Sequence, residues 1–289
     1  MPQTTDSFLD YVTSPYVLRA LAGVALIAVN AGVSGAFAAF RRSTFLISGA
    51  SHAALAGAAL VIVLETHGLI VGLDPLVGAA FAAVALGLLA AWASNRGSDE
   101  LVETAIGVGF AFSMALAALL MSVIPEAATR VWSVLLGDVL LLTNGDLWRM
   151  TGVTLAVCCV MWWFRRPLLF VTFDIEGAKS FGIRAGLHNT LLFGLIALSC
   201  AVVLKSVGAI VVYAMLVAPA ATALLLCGSV KQAMLTATAI AMVSGLAAIG
   251  LSYSFGRLSV GALAALLSCL TYFAALCWRA TARRRGGVA

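Results

Sequence analysis

Residues 187–227 read LHNTLLFGLIALSCAVVLKSVGAIVVYAMLVAPAATALLLC, and the one fixed charge in them is Lys205. About 20 consecutive apolar residues cross a bilayer as a helix. The stretch is therefore two spans, 187–204 and 207–227, meeting at Lys205-Ser206. The pattern repeats outward: 17–40, 44–64, 69–93, 101–124 and 150–164 precede it, and 231–253 and 259–278 follow. The expected fold is all-α, a polytopic membrane protein with about nine transmembrane helices. Segment 131–142 is also apolar but only a dozen residues long, which suits a re-entrant or interfacial segment better than a span.

Composition agrees. Of 289 residues, 63% are hydrophobic and 10% charged, and mean hydropathy is +1.09. Soluble domains carry about 25% charged residues, so a soluble enzyme, a nucleic-acid-binding domain and a disordered chain are excluded. The net charge of +5 is read as loop bias, not as affinity for nucleic acid. Nine spans with the C-terminus inside put the N-terminus outside. The inner side then holds Arg41, Arg42, Arg96, Arg165, Arg166, Lys179, Arg184, Lys231, Arg279, Arg283, Arg284 and Arg285. The outer side keeps Arg19, Arg130, Arg149, Lys205 and Arg257. That asymmetry follows the positive-inside rule.

The expected organisation is a short extracytoplasmic segment 1–16, a membrane domain 17–279 and a basic cytoplasmic tail 280–289. Residues 1–10 lack a basic n-region, so no cleavable signal peptide is expected. The longest inner loop is 165–186, RRPLLFVTFDIEGAKSFGIRAG. All six cysteines lie in or beside apolar runs without metal-binding spacing and read as small buried hydrophobes.

Little covalent chemistry is available. A phosphate-binding loop needs G-x-x-x-x-G-K-[ST]; the nearest stretch, Gly177-Ala178-Lys179-Ser180, has Ala between Gly and Lys. The chain reads as a non-enzyme. His52 is the one imidazole inside an apolar helix. An intramembrane ionisable residue faces the bundle interior or a watery path. Gly49, Ala53 and Gly57 form a small-residue face beside it that allows a neighbouring helix to approach closely. Ser48 shares a face with His52. Two readings stand for His52, a transition-metal ligand or an interhelical hydrogen-bonding residue. In the outer loop, Glu65, His67 and Asp74 could attract a cation or simply be solvated. Pro219 removes one helical hydrogen bond and displaces the carbonyl of Met215, giving a plain kink or a place on a pathway. Asp174, Glu176, Lys179 and Arg184 are either solvated loop charges or a docking element.

Several stretches in order resemble the permease family of ABC importers for zinc, manganese and iron. They are Arg41-Arg42-Ser43 followed by Ser51-His52-Ala53 and Gly57; Glu103-Thr104-Ala105-Ile106-Gly107; and Leu136-Gly137-Asp138 with Asp146-Leu147. Phe173-Asp174-Ile175-Glu176-Gly177-Ala178 with Phe181-Gly182-Ile183 follows. Lys205-Ser206-Val207-Gly208 through Pro219-Ala220-Ala221-Thr222-Ala223 matches best. The resemblance covers about residues 17–278.

It implies a multi-pass permease of the bacterial inner (plasma) membrane, working by ATP-driven alternating access. A second permease copy (identical or not), a cytoplasmic ABC ATPase that binds the ATP and an extracytoplasmic substrate-binding lipoprotein would be its partners. Ser48, His52 and Pro219 would lie on the substrate path, with His52 the metal-contacting residue. Asp174, Glu176, Ala178 and Gly182 would couple to the ATPase. A divalent transition metal would be cargo, with no cofactor held by the chain. One departure stands out: the family commonly has Asp where this chain has Ser48, and a neutral oxygen replaces an anionic one. Rival readings are a permease for a metal chelate (siderophore, haem or corrinoid) and a self-contained secondary carrier. The carrier lacks the buried carboxylates such proteins use.

Overall fold

The computed structural model describes residues 13–70, 72–97, 99–123, 137, 139–255 and 258–286. Every regular element among them is helical. Segment 131–138, most of residues 1–16, Arg130 and Arg257 lie outside the described residues, apart from Gly137.

The first span runs over Pro15–Phe40. Helix α1 (Pro15–Asn30) starts with Pro in its first turn and Ser14 accepting from the Val17 N–H. It widens into a π-helical turn, Ala31–Gly35, and closes as α2 (Ala36–Phe40). Two helices pack closely on the π turn. A Cβ on Gly32 would strike Thr238, and one on Gly35 would lie 2.3 Å from the Leu216 carbonyl. Arg42, with φ 58°, turns the chain sharply into α3 (Phe45–Thr66).

Helix α4 (Pro75–Asn95) is capped by Asp74, whose carboxylate accepts from the Leu76 N–H. It returns to the end that holds Arg41, and α5 (Asp99–Val123) runs back out. Helix α3 is enclosed on nearly every side, between α4, α5 and two later helices. The expected small-residue face is present: Gly49 abuts Ile106 of α5 and Leu86 of α4, and Gly57 meets Gly78 of α4 backbone to backbone. By contrast α5 leaves Val108, Phe112 and Leu119 exposed.

Helix α6 (Asn144–Trp163) begins earlier than hydropathy indicates. A capping box between Thr143 and Asp146 starts it before the apolar run. At 20 residues it is long enough, about 30 Å, to cross a bilayer. In its second turn Arg149 pairs with Asp74, and Lys205 lies 3.4 Å from Asp146 in the first. It therefore starts at the end where α5 finishes.

Segment 165–186, which joins two spans, is itself mostly helical. The chain bends by 76° after α6 into α7 (Arg165–Phe173), and α8 (Ile175–Ser180) follows. Short polar helices are invisible to hydropathy, but Asp174 supplies the stop and the next cap.

Helix α9 (Ala185–Val207) and α10 (Ala209–Leu226) are the two spans of the opening stretch. Gly208, with φ 81°, joins them, and Gly137 packs directly on its backbone. Helices α11 (Val230–Phe255) and α12 (Val260–Gly286) complete the bundle by packing on α10. Among the described residues eight helices are long and apolar enough to cross a membrane, or nine if the bent pair of α6 and α7 is one span. This bears out the all-α polytopic expectation. The cysteines are a partial correction. Cys200 is buried, but Cys159 and Cys277 are exposed on the apolar surface, where a small thiol is compatible with lipid.

Candidate functional site

His52 and Ser48 lie one turn apart on α3, as their spacing requires. The contact between them is through the backbone. His52 Nδ1 is 2.9 Å from the Ser48 carbonyl oxygen, and Ser51 Oγ is 3.4 Å from the same nitrogen. A carbonyl can only accept, so Nδ1 is the donor in this contact, and a neutral ring making it is the Nδ1–H tautomer. Nε2 then keeps its lone pair, the arrangement that prepares an imidazole to ligate a metal. The ring packs edge-on against Phe110 of α5, with centroids 4.6 Å apart.

Phe110 in turn packs against Phe45, centroids 6.2 Å apart. Phe45 lines a cavity of about 820 Å³ at the arginine-rich end, together with Arg41, Arg42, Glu103, Ile106 and Phe173. A continuous series thus runs from imidazole to aromatic pair to polar vestibule. Sequence reading missed Phe45 and Phe110, since a lone Phe in an apolar helix carries no distinguishing pattern.

Pro219 is buried in α10, which packs against α3. It lies seven residues from the end of its helix, and His52 seven from the start of α3. Each is therefore about 10 Å in from the same end of the bundle. The π turn contacts α10 at Leu216, next to Met215, whose carbonyl finds no backbone N–H at Pro219.

The hairpin of α7 and α8 divides its residues by task. Asp174 Oδ1 accepts from the Gly177 N–H at 2.8 Å and caps α8. Ala178 is buried with Val171 and Ala185. Gly182 turns the chain at φ 75°, a conformation open mainly to glycine. Glu176 pairs with Lys179 on the surface at 2.7 Å. The outward apolar groups are Phe173, 61% exposed, and Phe181, 79% exposed. The motif Phe-Asp-x-Glu-x-Ala … Phe-Gly contained both, but their direction was not readable from it.

A polar knot behind the vestibule also escaped sequence reading. Asn189 Nδ2 donates to Ser94 Oγ and Asn95 Oδ1, each at 3.0 Å, and Arg41 Nη2 donates to Ser94 at 3.1 Å. It ties α2, α4 and α9 together. In the outer loop, Asp74 is committed to a helix cap and to Arg149. Among the described residues no three His, Cys, Asp or Glu side chains come together as a metal cage.

Comparison with known proteins gives a consistent result. A model of the ABC 3 transport family matches residues 13–279. The manganese import system permease protein ScaB of Streptococcus parasanguinis is 30% identical over 269 residues, covering 92% of this chain and 91% of that protein. The manganese transport system membrane protein MntC of Halalkalibacterium halodurans is 29% identical, covering 94% and 92%. A chain in the solved structure of PsaBC from Streptococcus pneumoniae in complex with Fab superposes with a TM-score of 0.79 at 27% identity, covering 93% of this chain and 94% of that one.

Proposed function

This chain belongs to the ABC 3 transport family, and from that premise we infer that it is the membrane permease subunit of an ABC importer for a divalent transition metal. It is a transport subunit and not an enzyme. Its named relatives are manganese permeases, and manganese is the cargo this reading takes first; zinc has no comparable support. ATP hydrolysis belongs to a separate subunit. An extracytoplasmic binding protein delivers the ion and a second permease copy completes the core.

The carrying observation is the environment of His52. Its Nδ1 proton is held by the Ser48 carbonyl, so Nε2 is the ligand. One imidazole is too few donors for a divalent cation. A second copy packed beside the outward face of α5 would supply another, with water filling the remaining positions. Phe110 and Phe45 then separate the ion from the vestibule until the helices shift. The shift is driven from the hairpin, where Phe173, Phe181 and Glu176 meet the ATPase while Asp174, Ala178 and Gly182 hold the hairpin in shape. Work done on the hairpin reaches α3 because Phe173 packs on Phe40 at 5.7 Å, and Phe40 ends the span that leads into α3.

The test is ATP-driven manganese uptake by proteoliposomes holding the permease with its ATPase. His52→Ala is expected to abolish uptake while the two subunits still co-purify. Undiminished uptake by that variant overturns the assignment of His52.

A further inference from the structure

A second cavity of about 700 Å³, inside the roughly 300–1,000 Å³ range of ligand pockets, opens on the outer wall of the bundle, away from His52. Its apolar walls come from Val33 and Phe37 of the first span, Met161 of α6, Leu169 of α7, and Met234 and Leu235 of α11. Arg165 and Lys231, at the starts of α7 and α11, also line it. A smaller cavity of about 330 Å³ shares Trp162 and Arg165 with the first and adds Trp163 and Arg166. No carboxylate lines either cavity among the described residues.

The wall that carries these cavities bears the marks of a lipid-facing surface. Trp148, Leu155 and Trp162 are spaced by seven on α6 and are all exposed, so they form one outward stripe. Indole rings gather at the two membrane–water interfaces, and this stripe has one at each end of a bilayer-length helix. Trp162 therefore marks headgroup level, and the Arg165 guanidinium lies over its ring, 5.4 Å from the centroid. Val33 lies seven residues before Phe40, the end of the span, so the groove descends about 10 Å below that level.

We propose that this groove binds one anionic phospholipid of the inner leaflet, an acyl chain lying against Val33 and Leu235 and the phosphate held by Arg165, Arg166 and Lys231. Three cations without a balancing carboxylate at the rim favour an anionic headgroup over a zwitterionic one. Arginine adds bidentate hydrogen bonding to the phosphate oxygens. The site is independent of the cargo, and the experiment below reads no transport.

The complex of permease and ATPase, incorporated in nanodiscs of equal phosphatidylglycerol and phosphatidylcholine and then re-extracted, is analysed by native mass spectrometry. Wild-type protein is expected to retain phosphatidylglycerol over phosphatidylcholine by about tenfold or more. The triple variant Arg165→Gln, Arg166→Gln, Lys231→Gln should lose that preference. Leu235→Trp, which fills the groove and leaves the cations in place, should lower the retention of both lipids. Equal retention of the two lipids by wild-type protein overturns the proposal. So does a triple variant that keeps the wild-type preference, or a Leu235→Trp variant that retains as much lipid as wild type.

Discussion

At the scale of the residue, the proposed substrate path turns on Ser48 and His52. Manganese is a hard cation that favours anionic oxygen, and Ser48 offers none. Ser48→Asp is therefore expected to lower the manganese concentration for half-maximal uptake by about tenfold, on the order of 1.4 kcal/mol. An unmoved half-saturation would take the Ser48 side chain off the path. The sequence made His52 legible because a lone imidazole in an apolar helix is conspicuous. It could not show which atom of Ser48 the ring would meet. The spacing of four put both residues on one face, yet the contact is to the backbone carbonyl, and it engages Nδ1 rather than Nε2. Phe45 and Phe110 gain their place only from the packing of α5 on α3.

At the scale of the element, the hairpin and the α3–α4 crossing carry separate predictions. Removing the cap with Asp174→Ala should cost about 1 kcal/mol of local helix stability, visible as faster amide exchange in 175–180. Phe181→Ala leaves the fold intact and should weaken retention of the ATPase on the permease; wild-type co-purification would remove Phe181 from the docking surface. At the crossing, a Cβ on Gly57 would sit 2.1 Å from the Gly78 carbonyl oxygen. Gly57→Leu must push the helices apart, so folded yield and melting temperature in detergent should fall sharply. An unchanged melting temperature would mean the crossing is not tight. The recurrence of Gly49, Ala53 and Gly57 made this face readable beforehand. The packing around the π turn was not readable, because its neighbours Thr238 and Leu216 lie some 200 residues away in sequence. Nor was α7, since a nine-residue amphipathic helix leaves no span-length signal.

At the scale of the molecule, the set of eight or nine candidate spans among the described residues and one strongly basic end were legible from hydropathy and the placement of Lys and Arg. Bilayer thickness fixes span length, and charge placement groups the loops into two sets. The ion pairs Arg149–Asp74 and Lys205–Asp146 join loops that sequence reading had assigned to one side. What sequence could not give was which faces of the bundle stay open. The apolar face of α5, the exposed phenylalanines of the hairpin and the groove beside Arg165 emerge only after the helices are packed. These open faces suit a subunit that works in company, as a gate whose energy comes from elsewhere. The most direct test is manganese uptake into proteoliposomes holding the permease alone, with its ATPase, and with its ATPase plus ATP. The account predicts uptake only in the third preparation. Uptake by the permease alone, or an equal rate without ATP, would contradict it.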